Sequence, residues 1–450
     1  MNSLLVYLFI LDLRFIIEKF KKPLNKVSSM ILKYPIKSPI SIGLVGLGKM
    51  GVAIVHQIKL SRYFELKAVA EIRLNAAIEI LRNAGYEPKI VNDSDDIVKI
   101  EKPNSVAVTT NFELLPYAEN IDVLIDSTGV IEVGAKLGYL AAINRKNIVM
   151  MNAEADALLG PILNHFAMLS GTIYTGDIGD EPGAIMHYLY KPFHRIGMNI
   201  IVAGKGKNNP LVRHANPDTL KNDAVKKKLN PRVLTSFVDG TKTMIEMAIL
   251  SNATGLLPDI RGMHGPIVSN VKELVKIFKR KEDGGVLEKE GVVEYVIGIA
   301  PGVFIAVDTE DEEVSENLKY LSVGEEKPYV FYRPYHLPGT ETILSAYHVA
   351  AYKEPIIAPT GVYSEVIAYA KKEMSRGDMI DGIGGFTVYG LIEESKKVKE
   401  EGLLPIGLSE GCKLKRGIEK DQPIAMDDVE IPDSFTYQLW GLQEKVFPVK

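Results

Sequence analysis

Four short stretches combine lysine, carboxylate and amide side chains with glycine. They are Met151-Asn152-Ala153-Glu154-Ala155-Asp156, Gly179-Asp180-Glu181-Pro182-Gly183, Gly204-Lys205-Gly206-Lys207-Asn208-Asn209-Pro210 and Val238-Asp239-Gly240-Thr241-Lys242-Thr243. Such groups suit redox chemistry at an alcohol carbon. Hydride exchange there needs one group that trades a proton with the oxygen and a cation that holds the developing alkoxide. A lysine serves either purpose once burial lowers its pKa, with a neighbouring carboxylate to position it. Lys205 and Lys207 flank Gly206, so on an extended segment both ammonium groups leave the same side. That arrangement fits a carboxylate or phosphate on a substrate, and two solvated loop lysines fit the spacing equally well. Lys242 opens a helix reaching Leu250, with Glu246 one turn on. An i,i+4 ion pair is one reading; the other turns Lys242 toward a redox cofactor with Asp239 beside it.

A cofactor site is legible upstream. The apolar strand Ile42–Val45 runs into Gly46-Leu47-Gly48-Lys49-Met50-Gly51 and then a helical stretch to Leu60. In that context Gly46 permits a tight turn, Gly48 lets the backbone approach a pyrophosphate, and Gly51 lets the helix pack on the strand. Lys49 and Met50 sit in the same turn, where helix N–H groups face the phosphates. Glu71 follows Gly51 by 20 positions, the place of a carboxylate that accepts from the adenosine ribose. Arg73 instead suits a 2′-phosphate, so NAD and NADP both stay open. Asp126-Ser127-Thr128-Gly129 ends a further strand and offers Ser127, Thr128 and Gly129 to the nicotinamide half, or merely caps the next helix.

These residues need a scaffold. Strands at Leu66–Ala70, Ser105–Thr109, Asp122–Ile125 and Asn147–Met151 alternate with helices, which predicts an α/β fold with an N-terminal doubly wound Rossmann sheet. The chain of 450 residues exceeds one core. We divide it into an N-terminal extension (1–40), a dinucleotide-binding domain (41–151), a central α/β catalytic domain (152–373) and a small, mostly β C-terminal domain (374–450). The last boundary rests on the glycine-rich stretch Met374–Gly385. Leu4–Phe20 is apolar but interrupted by Asp12, Arg14 and Glu18, with lysines following, so it reads as an amphipathic extension or an early start before Met30 rather than a stable membrane anchor. A net charge of −4 argues against nucleic-acid binding. The single cysteine, Cys412, excludes an internal disulfide and fits a cytoplasmic protein. Asp177, Asp180 and Glu181 are near enough in sequence to hold a hard cation such as Mg²⁺, or are solvated loop acids. His264 and His336 read as structural, and Arg333, beside Tyr332 and Tyr335, as packed on a ring or binding an anion.

The strings GLVGLGKMG, MNAEADALLGP, GDEPGAIM, GKGKNNP, SFVDGTKTMIEMAILSNATGLLPD and YRPYHLPGTE, spread over most of Ser41–Ala350, carry a resemblance. The chain resembles the homoserine-dehydrogenase-like oxidoreductases with a C-terminal SAF-type domain, the family that includes the deoxyxylulose-phosphate reductoisomerase-like (DRL) enzymes. The tail LKRGIEKDQPIAMDDVE looks like the SAF module. The resemblance implies a homodimer and an NAD(P)-linked reaction, coupled in some members to rearrangement of a small sugar-phosphate or polyol-acid skeleton. By that analogy Lys205, Lys207, Asp239 and Lys242 line the substrate pocket with Glu181, and Lys242 or Lys205 transfers the proton. A simple dehydrogenase of the homoserine type and a cofactor-binding regulator are the alternative expectations.

Overall fold

The computed structural model describes residues 39–448; the expectations for the N-terminal extension lie outside them. Gly51, Ile54, Val55 and Ile58 recur at the spacing of one helix face, and all four are buried in α1 (Lys49–Leu60). That helix returns from β1 (Ile40–Val45) to β2 (Phe64–Ala70), which pair in parallel. Five more strands follow: β3 (Glu87–Ile90), β4 (Ser105–Thr109), β5 (Val123–Asp126), β6 (Asn147–Met150) and β7 (Tyr174–Gly176). The seven form one parallel sheet in the order β3-β4-β2-β1-β5-β6-β7. The order reverses between β1 and β5, so their carboxyl ends open the crevice where such sheets take ligands.

The sheet runs past Met151. α2 (Ile131–Ile143) precedes β6, and α3 (Ala153–Ser170) joins β6 to β7. Of the eight residues of β5 (VLID) and β6 (NIVM), all but Asn147 are buried, as a sheet covered on two sides requires. A second sheet has the order β12-β11-β8-β10-β9, with β8 Asn199–Lys207, β9 Leu257–Pro258, β10 Val292–Ile297, β11 Val303–Asp308 and β12 Tyr329–Arg333. β8 pairs in parallel with β10 and antiparallel with β11. The helix α4 (Thr241–Thr254) is buried nearly all round, the condition of a helix inside the protein rather than on it.

The C-terminal part carries two small antiparallel sheets: β13 (Ser364–Ala370) pairs with β14 (Val388–Glu394), and β15 (Lys413–Leu414) with β16 (Val429–Glu430). The glycine-rich stretch at 374–385 lies inside the β13–β14 connection, so composition marked a long turn there. The chain closes with α5 (Phe435–Val446), which packs on α2 and α3. Among the described residues no helix is long and apolar enough to cross a membrane.

One buried acid makes the sheet's stability depend on pH. Asp156 on α3 is 4% exposed and accepts a hydrogen bond from Tyr174 Oη at 2.7 Å. Burial pushes its carboxyl up to about 7, with the Tyr174 bond opposing. From the ordinary range near 4 up to about 7, the folded chain holds a proton that the unfolded chain has lost, so stability falls as pH rises through that window. Asp156→Asn removes this loss. Its melting temperature relative to wild type should rise by several degrees between about pH 4.5 and about pH 8. A difference flat across that range would contradict the assignment.

Candidate active site

The glycine turn is built by close contacts. Gly46 adopts φ +93°, and a Cβ on Gly51 would lie 2.2 Å from Gly46 O, so the helix meets the strand only without a side chain. At Gly48 a Cβ would meet nothing within 4 Å: the backbone there faces open space, as an approaching phosphate needs. Glu71 directly follows β2, at 8% exposure. Its Oε2 accepts from Leu47 N at 2.8 Å and its Oε1 from Arg73 Nε at 2.9 Å. Burial raises the Glu71 carboxyl, but the bonds from Arg73 and Leu47 outweigh it and hold it below the usual range. The two residues that sequence sets against each other are therefore paired. Ser127 Oγ donates to Val45 O at 3.1 Å and Gly46 O at 2.9 Å, tying the Asp126–Gly129 turn to the glycine turn. Thr128 is bound by the fully buried Asp126, which also accepts from Asn152 Nδ2 at 3.0 Å.

A cavity of about 1130 Å³ joins these residues to the lysines. Gly46, Gly48, Lys49, Met50, Glu71, Arg73, Ser127, Thr128 and Gly129 line one part of it, and Glu181, Lys205, Lys207, Lys242, Glu246 and His336 another. Lys205 and Lys207 stand on β8 two residues apart and therefore on one side of the strand. The Lys205 ammonium, 7% exposed, lies between Glu181 Oε1 and Glu246 Oε2 and donates to both. Burial alone would drive its proton off, but the two carboxylates reverse that and hold the ammonium well above lysine's ordinary value. For Glu181 burial is likewise outweighed, by Lys205, His336 and a hydrogen bond from Asp180, and it stays well below the carboxylate range. Asp180 is driven well up by burial and by the charges of Glu181 and Glu246. Lys242 reaches Glu154 Oε1 on α3 at 3.2 Å. It too is held charged against burial, by Glu154, Asp180 and Glu246.

These positions correct two expectations about mechanism. Burial does not free Lys205 or Lys242 of a proton, because paired carboxylates win in both places. Its effect tells instead at Lys207: burial and the charge of Lys205 bring that ammonium down to about 8, and it donates to Phe237 O. Asp239 is not beside Lys242 in the cavity. It is fully buried, accepts from Thr241 N at 2.8 Å and pairs with Lys371 Nζ at 2.8 Å.

Asp177 likewise turns away from Asp180 and Glu181 to accept from Thr342 Oγ1 at 2.9 Å and Gly179 N at 3.0 Å. Glu246 takes its place: single oxygens of Asp180, Glu181 and Glu246 lie within 4.8 Å of one another. Three carboxylate oxygens this close are donors of the type a hard divalent cation takes, and in this structure the Lys205 ammonium lies between two of them.

Sequence assigned no role to Glu154, and none beyond an ion pair to Glu246. The signal for Glu246 was its i+4 spacing from Lys242; for Glu154 it was the polar stretch alone. His336 Nδ1 donates to Pro301 O at 2.8 Å and its Nε2 lies 3.4 Å from Glu181 Oε1. Arg333 stacks between Tyr188 and Tyr335, 4.1 Å from each ring centre, and binds Glu341. His264 is held by the buried Glu294 at 2.7 Å.

Residues 179–342 match the family model "Oxidoreductase DRL, catalytic domain". Glu181, Lys205, Lys242 and Glu246 all fall within that segment. No curated protein matches the chain. Among solved structures the chain is similar to a probable dehydrogenase from Thermotoga maritima, 12% identical over 70% of this chain and 90% of that one, with a TM-score of 0.38. It is similar to scyllo-inositol dehydrogenase from Lactobacillus casei with bound NAD(H) and scyllo-inositol, at 13% identity, coverage of 70% and 87%, and a TM-score of 0.38. A third is 1-deoxy-D-xylulose 5-phosphate reductoisomerase from Zymomonas mobilis in complex with NADPH, at 12% identity, coverage of 69% and 81%, and a TM-score of 0.37.

Proposed function

We propose that this chain is an NAD(P)-dependent oxidoreductase of the reductoisomerase-like kind, acting on a small sugar-phosphate or polyol-acid. The observation that carries the reading is one shared cavity. It holds the open glycine turn at Gly46–Gly51 and an ammonium, Lys205, fixed between two carboxylates. The glycine turn fits a dinucleotide, since the backbone at Gly48 faces free space beside the start of α1. When bound, NAD(P) supplies or accepts the hydride, and the Lys205 ammonium between Glu181 and Glu246 takes the place that a divalent cation would have there.

The chain's own residues do the rest. Lys205, kept charged, holds the oxygen that gains charge as hydride moves. Lys207, brought down to about 8, exchanges the proton with that oxygen near neutral pH. Asn209, bonded by Lys227 Nζ at 3.0 Å, stands with Lys207 and Asn208 in the cavity wall, where they would take the substrate's anionic end.

The test is NADPH and NADH consumption by the full chain with 1-deoxy-D-xylulose 5-phosphate and Mg²⁺, followed by absorbance. Substrate-dependent loss of reduced cofactor is expected. Cofactor binding without consumption would remove that substrate, and turnover of homoserine instead would favour a simple dehydrogenase.

A further inference from the structure

Lys242 and Glu154 come from different parts of the fold, α4 and α3, yet their pairing at 3.2 Å helps shape the cavity. The C-terminal part grips both helices. On the α4 side, Lys371 directly follows β13 and is only 4% exposed. Its ammonium lies 2.8 Å from each of three oxygens: Asp239 Oδ2, Ala215 O and Gly385 O. The other oxygen of Asp239 accepts from Thr241 N, the first residue of α4. Gly390 N on β14 donates to Thr241 Oγ1 at 2.8 Å. On the α3 side, Pro161 interrupts the helix, and Gln443 of α5 fills the break. Gln443 accepts from Ile162 N at 3.1 Å and donates to Leu158 O at 2.9 Å.

We infer that Lys371 is a positioning residue for the active site, setting the first turn of α4, and with it Lys242, through Asp239. The inference rests on the reading of the cavity as a redox site, but its mechanical part can be measured without turnover. A lysine so deeply buried is held by partners rather than by water, and all three partners here are fixed oxygens, one of which starts α4. Lys371 is not among the residues that line the cavity, and its partner Asp239 accepts from the first residue of the helix that carries Lys242.

The experiment uses the full chain with Lys371→Met and Lys371→Arg. Hydrogen–deuterium exchange over residues 239–246 should rise about tenfold or more in Lys371→Met. Exchange over residues 44–52 and the affinity for NADH should stay at wild-type values. In turnover, kcat should fall about 100-fold with the KM for cofactor unchanged, and Lys371→Arg, which keeps the charge, should recover part of it. Should Lys371→Met not fold, Lys371→Met/Asp239→Asn removes both charges and carries the same exchange test. Unchanged exchange over 239–246 in a folded variant overturns the inference. Loss of NADH binding or raised exchange at 44–52 also overturns it, because Lys371 would then support the whole fold. If wild type turns over no substrate, the proposed function falls while the exchange result still decides the role of Lys371.

Discussion

Replacing Lys205 with methionine is expected to lower turnover about 100- to 1,000-fold while NAD(P)H still binds. The side chain is of similar length, so the main loss is the charge that holds the reacting oxygen. A second effect follows from the same geometry. Glu181 and Glu246, 7% and 3% exposed, would face each other without the ammonium between them. Breaking a buried ion group in this way costs about 3–5 kcal/mol. The cost is greatest near neutral pH and shrinks as pH falls, because one carboxylate then takes up a proton. Lys205→Met/Glu246→Gln should therefore recover most of the melting temperature and none of the turnover. A Lys205→Met enzyme that keeps wild-type kcat would remove Lys205 from the chemistry.

Two glycines three residues apart should respond in opposite ways. At Gly48 the backbone has φ −68° and ψ −170°, which alanine adopts freely, and an added methyl meets nothing within 4 Å. Gly48→Ala should melt as wild type does, yet weaken NAD(P)H binding roughly 10- to 100-fold, because the methyl occupies the space of the pyrophosphate. At Gly51 the methyl would lie 2.2 Å from Gly46 O, against backbone that cannot step aside. Gly51→Ala should cost about 1–3 kcal/mol of stability as well as binding. Fluorescence titration of reduced cofactor, with melting curves of both variants, makes the comparison. Equal binding by Gly48→Ala and wild type would place the dinucleotide elsewhere.

The parts of this fold that sequence shows are those set by local rules. Glycine spacing after a strand located the turn at Gly46–Gly51, and helix–strand alternation located the parallel sheet. The spacing of Lys205 and Lys207 on an extended segment put both on one side, and β8 has them so. What sequence could not show depends on partners far along the chain. The polar stretch after Met151 looked like the start of another domain, but α3 and β7 extend the same sheet. Asp239 looked free to face Lys242 because Lys371, its partner, lies 132 positions away. Asp177 is claimed by Thr342 for the same reason. The protonation of the lysines was the least legible feature. Burial lowers a lysine's pKa and a carboxylate raises it, and only the fold shows that Lys205 has two such partners and that Lys207 has Lys205 for a neighbour.

A crystal structure of the full chain with NADH or NADPH bound tests the central claim most directly. The account predicts the pyrophosphate at the Gly46–Gly51 turn and the nicotinamide ring in the cavity that contains Lys205 and Glu181. A dinucleotide bound away from that turn, or one whose nicotinamide points out of the cavity, would contradict it.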